Sequence, residues 1–488
     1  MTISRRTFLM GSASGLTLLA VSACTSAPPQ PTPTVPPTRT KIPQPSAFER
    51  SSWASDPFSR GALSFQPVGS SPEQRAALGE PVAGRLFFAG EHTADFEPGT
   101  VQGARASGLR VALELADVVG ERERIAVVGA GIAGATVARR LADAGHSVVV
   151  VEGRDRSGGR IRTVDDERWP APIELGAAWV HDASTNPVTS ALARAEVSTS
   201  SFDFVYDRRT AAGASIEAGS VAPDAVAAAI AWAASQPGDV SIADALVASG
   251  AADVSSSRSP DGVSDADLLE NFVAGDVVIE GGAEADELSA WFTADPTRST
   301  DDDVLVTGGF AGLVTSELDG LDILPSSTVS SVSYDNDGVS LRLARGESLS
   351  ADRVVITVPL GVLKAGSIEF DPPLPFAHRG AISALGMGQQ EKIVLRFDAP
   401  FWSTDATVWS VIDGDSDFPL WYNLLPLTGE PMLVGICAGE AATRLAEFSD
   451  ADLLQAALTS LEPFLDPEVL EGPGGVLPSP SGESGAAD

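Results

Sequence analysis

Cysteine is scarce in this chain, which has two among 488 residues. Two cysteines cannot build a disulfide framework or a cysteine-rich zinc cluster, so no metal site is expected. Basic residues are also few, because 32 lysines and arginines face 66 aspartates and glutamates and leave a net charge of -34. Such acidity argues against binding nucleic acid or an anionic membrane surface and would attract small cations. An acidic surface kept for solubility explains the charge equally well.

The N-terminal apolar stretch is too short and too rich in serine and glycine for a dedicated membrane-spanning helix. It follows Arg5-Arg6 and extends to Ala23, an arrangement typical of a twin-arginine export signal. Small residues directly before Cys24 are typical of a lipoprotein cleavage site. We therefore expect residues 1–23 to be removed and Cys24 to be lipidated, which anchors the exported protein at the outer face of the cytoplasmic membrane. A plain signal peptide cut elsewhere is the alternative.

Both ends of the expected mature chain have the composition of unpacked segments. Residues 28–45 contain eight prolines among Thr, Gln and Lys, which predicts an extended, semi-rigid tether over 24–45 with no capacity to pack a core. Residues 472–488 are rich in Gly, Pro and Ser and are expected to be disordered. The hydrophobic content of the whole chain is 43%, which is ordinary for a large globular protein of two or three structural domains.

One segment carries the pattern of a nucleotide-binding βαβ unit. The apolar run 125–128 leads into Gly129-Ala130-Gly131-Ile132-Ala133-Gly134, a helical pattern follows, and a second apolar run ends at Glu152. In this fingerprint Gly129 permits a tight turn, Gly131 lets the backbone approach a pyrophosphate, and Gly134 allows close packing of helix on strand. The helix N-terminus offers N–H groups to phosphates, and Glu152 is placed to accept hydrogen bonds from a ribose. The pattern alone does not separate FAD from NAD.

The residues that follow favour FAD. Glu152-Gly153-Arg154-Asp155-Arg156-Ser157-Gly158-Gly159-Arg160 resembles the Glu-x-Arg-x-Arg-x-Gly-Gly-Arg run of flavin amine oxidases. A second glycine turn, which includes Gly159, and the side chain of Arg160 can close on the pyrophosphate from the other side, and Arg154 can reach the adenosine end. Each arginine alone could be a surface charge, but the set at this spacing is specific.

From this point the chain resembles the superfamily of monoamine oxidases, polyamine oxidases and histone demethylases across nearly all of residues 46–471. The resemblance rests on the segments 174–181, 304–313 and 357–364 and on the strand around Lys392. It implies an α/β fold, with a Rossmann-type, glutathione-reductase-like FAD-binding domain and an α+β substrate-binding domain. The cofactor contacts that it implies beyond the fingerprint are made by Gly176, Ala177, Ala178, Trp179, Val329, Gly90, Glu91, Thr100 and Val101. No cysteine stands at 94–97, where covalent relatives attach the flavin, so FAD is expected to be non-covalent.

The family's final segment stands near the N-terminus of this chain. Residues 86–93 and 99–104 match it, whereas the C-terminal end runs out after Leu470 into Gly, Pro and Ser. In the family, the segment that corresponds to 121–471 comes first and the segment that corresponds to 46–120 comes second, and in this chain the two are in the opposite order. Such a circular permutation is possible when the original termini lie close together. The alternative, a fragment of one oxidase fused ahead of a second, is rejected because no second Phe-Ala-Gly-Glu copy exists.

The resemblance also implies a domain division. The FAD-binding domain is expected to combine 46–195 with 304–374, and the substrate domain to combine 196–303 with 375–471. Residues 196–303 are rich in Ala, Ser and Asp and helix-prone, and no family motif is found there.

Two side chains are expected to act in catalysis. By resemblance, Lys392 would hold a water near flavin N5, although a lysine beside an apolar run can also be an ordinary surface residue at a strand end. His181 would line the substrate channel, as in polyamine oxidases, although a hydrogen-bonded core histidine fits equally. Glu91 would bind the ribityl or phosphate region of FAD from a βα turn.

The amine-binding cage of the family is altered in this sequence. Many relatives have an aromatic residue at the position of Glu97 or Thr100, and here Trp421 and Tyr422 are left to supply one wall. The carboxylate of Glu97 could instead hold a distal ammonium, which would favour a diamine or polyamine as substrate. The plainer interpretation is that Glu97 is a loop residue that faces solvent.

Three functions remain open from the sequence. A polyamine or diamine oxidase using O₂ is the first, and a monoamine or L-amino-acid oxidase is the second. An L-amino acid needs an arginine for its carboxylate, with Arg208, Arg209 and Arg258 as candidates. The third is a flavin-binding surface protein without turnover. The sequence does not reveal the oligomeric state.

Overall fold

The computed structural model describes residues 40–120, 123–293, 299–412 and 416–470. The predicted signal peptide (1–23), Cys24 with most of the tether, and the tail 472–488 lie outside these ranges. Within them, no helix is long and apolar enough to cross a membrane.

Short strands make up much of the fold. In chain order, the strands of the described residues are β1 (Ala47–Arg50), β2 (Leu63–Phe65), β3 (Leu86–Phe88), β4 (Arg124–Val128), β5 (Ser147–Val151), β6 (Thr163–Val164), β7 (Ile173–Glu174), β8 (Trp179–Val180), β9 (Thr199–Ser201), β10 (Tyr206–Thr210), β11 (Ser215–Ile216), β12 (Val304–Val306), β13 (Asp322–Leu324), β14 (Val329–Tyr334), β15 (Val339–Leu343), β16 (Ser348–Ala351), β17 (Arg353–Ile356), β18 (Glu369–Asp371), β19 (Gly386–Gly388), β20 (Gln390–Arg396), β21 (Val408–Ile412), β22 (Leu420–Asn423) and β23 (Met432–Ala438).

The α-helices of the same residues are α1 (Pro72–Gly79), α2 (Val101–Ala116), α3 (Ile132–Asp143), α4 (Pro187–Arg194), α5 (Val221–Ala233), α6 (Ile242–Ala248), α7 (Asp265–Phe272), α8 (Ile279–Gly281), α9 (Ala311–Leu318), α10 (Leu360–Lys364), α11 (Phe376–Ala384), α12 (Leu425–Thr428), α13 (Gly439–Leu445), α14 (Asp450–Ser460) and α15 (Pro467–Leu470). A π-helical stretch, Val273–Val278, joins α7 to α8.

A five-stranded parallel sheet holds the nucleotide-binding fingerprint. Its strand order is β13-β5-β4-β17-β3. Because alternate residues of a strand point to opposite faces, Ile125 and Val127 pack towards helices α2, α3 and α9. Ala126 and Val128 pack on the other face, against the four-stranded sheet β16-β15-β14-β18. Both faces of the parallel sheet are thereby covered, as such sheets require.

Segment 46–120 is built into this layer. Strand β3 pairs with β17, and Leu86, Phe87 and Phe88 are buried at the sheet edge. Helix α2 packs along α3 so closely that a Cβ at Gly108 would lie 2.5 Å from the carbonyl oxygen of Ala133. The fingerprint helix and its sheet are therefore completed by residues that precede them in the chain.

A seven-stranded sheet forms the second large layer. Its order is β1-β20-β23-β22-β21-β10-β11, and one face packs on a core that includes Trp409, Trp421 and Phe464. Strand β1 pairs antiparallel with β20, from Ala47 opposite Arg396 to Arg50 opposite Ile393. The prediction that residues 46–195 belong wholly to the FAD-binding part therefore needs correction, since β1 is the edge strand of this other sheet.

The predicted tether also ends earlier than expected. Ile42 is 3% exposed and packs into the core under the seven-stranded sheet. The proline-based prediction of an unpacked segment to residue 45 is wrong at this position, because composition does not reveal that one apolar side chain finds a pocket.

The region without family motifs, 196–303, forms the helices α5, α6 and α7, as its helix-prone composition predicts. Their apolar faces share one core, in which Val226, Ile242 and Leu269 are buried. This layer brings the π-helical stretch Val273–Val278 towards the seven-stranded sheet, where Val278 packs against Ile436 of β23.

Candidate active site

A cavity of about 770 Å³ extends from the parallel sheet to the seven-stranded sheet. One end is lined by residues that follow β4 and β5, where ligands bind in sheets of this kind. The other end is lined by Lys392 of β20, Tyr422 of β22 and Ile436 of β23. All the residues predicted to contact the cofactor line this cavity except Gly134.

Gly134 has the packing role that its place in the fingerprint predicts. A Cβ on this residue would lie 2.0 Å from the carbonyl oxygen of Gly129, so only glycine lets α3 approach the strand so closely. Gly129 itself adopts a φ of +112°, a conformation that favours glycine. At Gly131, the N-cap of α3, a Cβ would meet no atom nearer than 3.9 Å, so the backbone there is open to the cavity.

The second glycine turn closes over the first. The N–H of Gly158 donates to the carbonyl of Ala130 at 2.9 Å, and Gly158 and Gly159 both have positive φ, +104° and +62°. Glu152 supports the same turn, because its carboxylate accepts hydrogen bonds from the N–H groups of Ala130 and Arg154 at 2.7 and 2.8 Å. Glu152, which is expected to bind the ribose, therefore also fixes the backbone that would surround the ribose.

The two predicted arginines hold the early segment in place. Arg154 pairs with Asp56 at 2.8 Å and also donates to the hydroxyl of Ser59. Arg160 pairs with Glu91 at 2.9 Å and donates to the carbonyl of Ala62. Both side chains line the cavity while bonded to residues of segment 46–120, which the sequence did not indicate.

Glu91 is buried and surrounded by donors. Its carboxylate accepts hydrogen bonds from the N–H and hydroxyl of Ser64, the N–H of Gly99 and the guanidinium of Arg160, at 2.6 to 3.2 Å. Although burial acts in the opposite direction, these partners and nearby cations lower its pKa to about 2. Four donors fill the acceptor sites of a carboxylate. Glu91 thus organises the protein around the cavity, and direct binding of the cofactor by its side chain stays a prediction.

Helix α2 also begins at the cavity. Thr100 is its N-cap, with the hydroxyl accepting from the N–H of Gly103, and Val101 lines the cavity beside it. The N-termini of α2 and α3 therefore both present backbone N–H groups here, where partial positive charge suits an anion.

The amine end of the cavity is aromatic, but not through the residues predicted. Trp421 is 0% exposed and donates its indole N–H to Ser460, so its assignment to the cage is wrong. Neighbouring residues of a strand face opposite ways, and only Tyr422 of this pair faces the cavity. Trp179 supports it at 5.3 Å between ring centroids, and Phe204 lies 5.4 Å from Trp179.

Lys392 is buried at this end, 8% exposed, and its ammonium donates to the carbonyl of Gly176 at 2.5 Å. Burial lowers the pKa of Lys392 to about 8, and the charge of Glu174 acts against this shift. The interpretation of Lys392 as a surface residue at a strand end is therefore wrong.

His181 is held by an acid. Its Nδ1 lies 2.7 Å from Oδ2 of Asp303, which is buried and also accepts from the N–H of Asp182. Both His181 and Asp303 line the cavity. Asp303 belongs to an acidic run with no motif, so nothing in the sequence marked it as a site residue.

Carboxylates line the cavity and lie near its aromatic end. Glu97, with a φ of +50°, and Glu280 of α8 line the cavity. Burial is the chief cause that raises the pKa of the Tyr422 phenol. The charges of Glu280 and of Asp276, which belongs to the π-helical stretch, lie close enough to raise this pKa further. Burial likewise raises the pKa of Asp276 to about 7, opposed by Arg208 and reinforced by Glu280.

The sequence pattern of a protein family described as flavin-containing amine oxidoreductase matches residues 33–116 and 132–479. The chain belongs to this family. Polyamine oxidase 2 of Arabidopsis thaliana is 29% identical over 374 residues, covering 70% of this chain and 72% of that protein. Polyamine oxidase 4 of Oryza sativa subsp. japonica is 30% identical with the same coverage. Lysine-specific histone demethylase 1 homolog 3 of Oryza sativa subsp. japonica is 29% identical over 72% of this chain and 44% of its own.

Among solved structures, putrescine oxidase bound to putrescine matches with a TM-score of 0.56 at 22% identity, over 72% of this chain and 83% of that one. The likeness confirms a mixed α/β fold of the amine oxidase type. As a member of the family, this protein is a flavin-dependent amine oxidase, and FAD is its cofactor. A surface scaffold without turnover is thereby set aside.

The residues present fit FAD. The cavity combines two helix N-termini, an open approach at Gly131 and an acid at Glu152 at one end with a buried lysine and aromatic side chains at the other. When bound, FAD accepts the electrons of the amine and passes them to O₂. Gly131, Gly159 and Arg160 would hold the pyrophosphate, and Val329 the adenine end.

The remaining chemistry falls to the chain's own residues. The aromatic rings of Trp179, Phe204 and Tyr422 line the cavity, and around a bound amine they would displace water and favour its neutral form, which oxidation requires. His181, oriented by Asp303, lines the cavity, and its predicted place in the substrate channel would let it exchange a proton with a bound amine. Lys392, if it lies near flavin N5 as the family resemblance implies, would hold a water or a positive charge there.

Proposed function

We propose that this oxidase acts on a diamine or polyamine, converting a primary or secondary amine to an imine while O₂ is reduced to H₂O₂. The observation that carries the proposal is the pair of carboxylates at the aromatic end of the cavity, Glu280 on its wall and Asp276 behind it. A monoamine has no second ammonium for them to bind, whereas a diamine carries a second ammonium at the far end of its own chain. The polyamine oxidases and the putrescine oxidase named above support the same class.

The arginines considered for an L-amino acid have other contacts, although the charge of Arg208 also acts on Asp276. Arg208 lies 4.0 Å over the ring of Tyr206, Arg209 pairs with Asp207, and Arg258 donates to the carbonyl of Gly262. None of these three lines the cavity. Oxidation of an L-amino acid therefore has no support from these candidates, and a monoamine remains the alternative substrate.

The variant Glu280→Gln tests the substrate class. It should raise KM for a diamine roughly tenfold or more, since a charge-assisted contact is worth about 1.5–3 kcal/mol, and leave a monoamine nearly unchanged. Glu270→Gln makes the same charge change on an exposed residue of α7 and serves as the matched control. Equal effects of Glu280→Gln on both amines would contradict a distal ammonium site there.

We also propose that the chain is circularly permuted relative to its family. Strand β3 and helix α2 complete the parallel sheet and its helix layer, while Glu91 and Asp56 pair with arginines of the fingerprint segment. Each family segment occurs once. A chain rejoined as 121–471 followed by 46–120 should fold and oxidise the same amine, because exchanging surface linkers changes loop entropy by only about 1 kcal/mol. A rejoined chain that fails to bind FAD would count against the permutation.

Export by the twin-arginine route and lipidation of Cys24 are proposed on sequence grounds. Cys24→Ala should release active protein from the membrane fraction, because Cys24 precedes in sequence the packed residues, which include Ile42. Persistent membrane association of this variant would point to an uncleaved apolar segment instead.

A further inference from the structure

The residue that follows β1 holds the backbone of Lys392. Strand β1 ends at Arg50, opposite Ile393 of β20, and Ser51 comes next in the chain. The N–H of Ser51 donates to the carbonyl of Lys392 at 2.9 Å, and the N–H of Lys392 donates to the hydroxyl of Ser51 at 2.8 Å. Ser51 is 1% exposed, so its hydroxyl is the buried acceptor that satisfies this backbone N–H.

A buried carboxylate orients that hydroxyl. Ser51 donates its hydroxyl proton to Oε2 of Glu391, the neighbour of Lys392 on β20. Oε1 of the same carboxylate accepts from the N–H of Ala54 at 2.9 Å. Because neighbouring residues of a strand point to opposite faces, Glu391 projects from the face of the sheet opposite to Lys392. The carboxylate therefore fixes Ser51 and Ala54 from behind the strand that carries the lysine.

The same segment holds the acceptor of the Lys392 ammonium. Trp53 donates its indole N–H to the carbonyl of Leu175 at 3.1 Å. Its ring also packs on Gly176, where a Cβ would lie 3.2 Å from the indole. The carbonyl of Gly176 accepts from the Lys392 ammonium at 2.5 Å. Hydrogen bonds and short stretches of chain thus form a closed ring, in which residues 51–54 hold both the backbone of the lysine and the acceptor of its ammonium.

We propose that Ser51, oriented by Glu391, is a positioning residue that fixes Lys392 in the active site. The role rests on the placement of Lys392 beside the flavin, which the family resemblance implies. A lysine side chain is a flexible four-carbon stem, so its ammonium keeps one position only when the backbone and the acceptor are both fixed. A displacement of about 1 Å at a catalytic group can cost roughly a hundredfold in rate, which makes the loss of the ring measurable.

The variant Ser51→Ala removes the hydroxyl, and its effect should depend on Lys392. The two half-reactions of the FAD-loaded enzyme, flavin reduction by the amine and flavin reoxidation by O₂, are followed by stopped flow. Ser51→Ala should slow the half-reaction that Lys392→Met slows by roughly threefold or more. In the Lys392→Met background it should change that rate by less than about twofold, because residues that act as a unit are not additive.

Two further variants test the hydroxyl and its orientation. Ser51→Thr keeps a hydroxyl and should recover most of the rate that Ser51→Ala loses. Glu391→Gln should act in the same direction as Ser51→Ala, since an amide has one oxygen for two donors. If Ser51→Ala yields no FAD-loaded protein, Glu391→Gln takes its place in the double-variant comparison with Lys392→Met.

The matched control is Ser460→Ala. Ser460 of α14 is also a buried serine, and its hydroxyl accepts from the indole of Trp421 at 3.1 Å, in the core under the seven-stranded sheet. Its loss removes a buried hydrogen bond that belongs to no part of the ring. Both half-reactions of Ser460→Ala should therefore stay within about twofold of the wild type.

The kinetics can overturn the proposal in two ways. Ser51→Ala may not slow the half-reaction equally in the presence and absence of Lys392, because an equal effect would mean that Ser51 does not act through the lysine. Unchanged rates in Ser51→Ala, where Lys392→Met is slow, would also overturn it.

If Lys392→Met slows neither half-reaction, the placement of Lys392 beside the flavin fails, and NMR decides on the ring itself. The chain has three lysines, Lys41, Lys364 and Lys392, so the Cε signal of Lys392 in ¹³C-lysine-labelled protein can be assigned by comparison with Lys392→Met. The ring predicts that this signal changes in Ser51→Ala and stays as in the wild type in Ser460→Ala. A Lys392 signal that is the same in Ser51→Ala as in the wild type would overturn the positioning role.

Discussion

A chain beginning at Glu121 should be unable to fold as the full protein does. It would lack β1, β2, α1, β3 and α2, and with them large apolar side chains that are at most 5% exposed, seven of which are Trp53, Leu78, Leu86, Phe87, Phe88, Val111 and Leu115. At ~1.5–3 kcal/mol for each buried side chain, the missing stabilisation is roughly 10–20 kcal/mol. That equals or exceeds the whole stability of a typical domain, about 5–15 kcal/mol.

The same truncation removes polar partners that matter for the cofactor. Without Glu91 and Asp56, Arg160 loses its carboxylate partner, and Arg154 loses the closer of its two, keeping only Glu152 at 4.0 Å. The assay is the flavin-to-protein ratio of the purified soluble fraction with the unfolding temperature of the same sample. A chain beginning at Thr40 is the control and should keep both values. If the chain beginning at Glu121 retained stoichiometric FAD and unfolded at the same temperature, residues 46–120 would be an appendage, and the reasoning would be refuted.

Three further changes have definite expected outcomes. Gly131→Leu should yield folded but colourless protein, because a side chain would enter the open approach to the pyrophosphate; normal flavin absorbance would contradict this. Lys392→Met should keep FAD yet slow one of the two half-reactions at least tenfold in stopped-flow measurements, and unchanged rates in both would exclude a catalytic role. Glu91→Gln should lower the unfolding temperature above about pH 5. A carboxyl pKa near 2 in the folded state stabilises the fold by roughly 3 kcal/mol, and this stabilisation is lost as pH falls from about 4.5 towards 2. A difference in unfolding temperature between the variant and the wild type that persists at pH 2 would contradict this origin.

The phosphate end of the site could be predicted from sequence because its function depends on local pattern. Gly129, Gly131 and Gly134 act through turn conformation and close packing, which spacing along the chain specifies. Lys392 was found for a different reason, since the resemblance to a family supplied its role. The apolar runs of β4 and β5 likewise indicated a βαβ unit, and the structure pairs them in parallel.

The amine end was predicted less well, because its side chains come from distant segments. Trp421 and Tyr422 are adjacent, and only the register of β22 decides which of them reaches the cavity. Phe204 could have been suspected from the alternation of Phe202 and Phe204 in a strand-like segment, but its contact with Trp179 is tertiary. Long-range packing also explains Ile42 and β1, which join the seven-stranded sheet and its core in a way that local composition does not reveal.

The most direct test of the account is hydrogen peroxide release by the FAD-loaded enzyme against a panel of putrescine, longer polyamines, monoamines and L-amino acids. The account predicts peroxide in proportion to amine consumed, with kcat/KM for diamines or polyamines at least tenfold above that for monoamines of equal length. No peroxide with any amine, or a preference for L-amino acids, would contradict it.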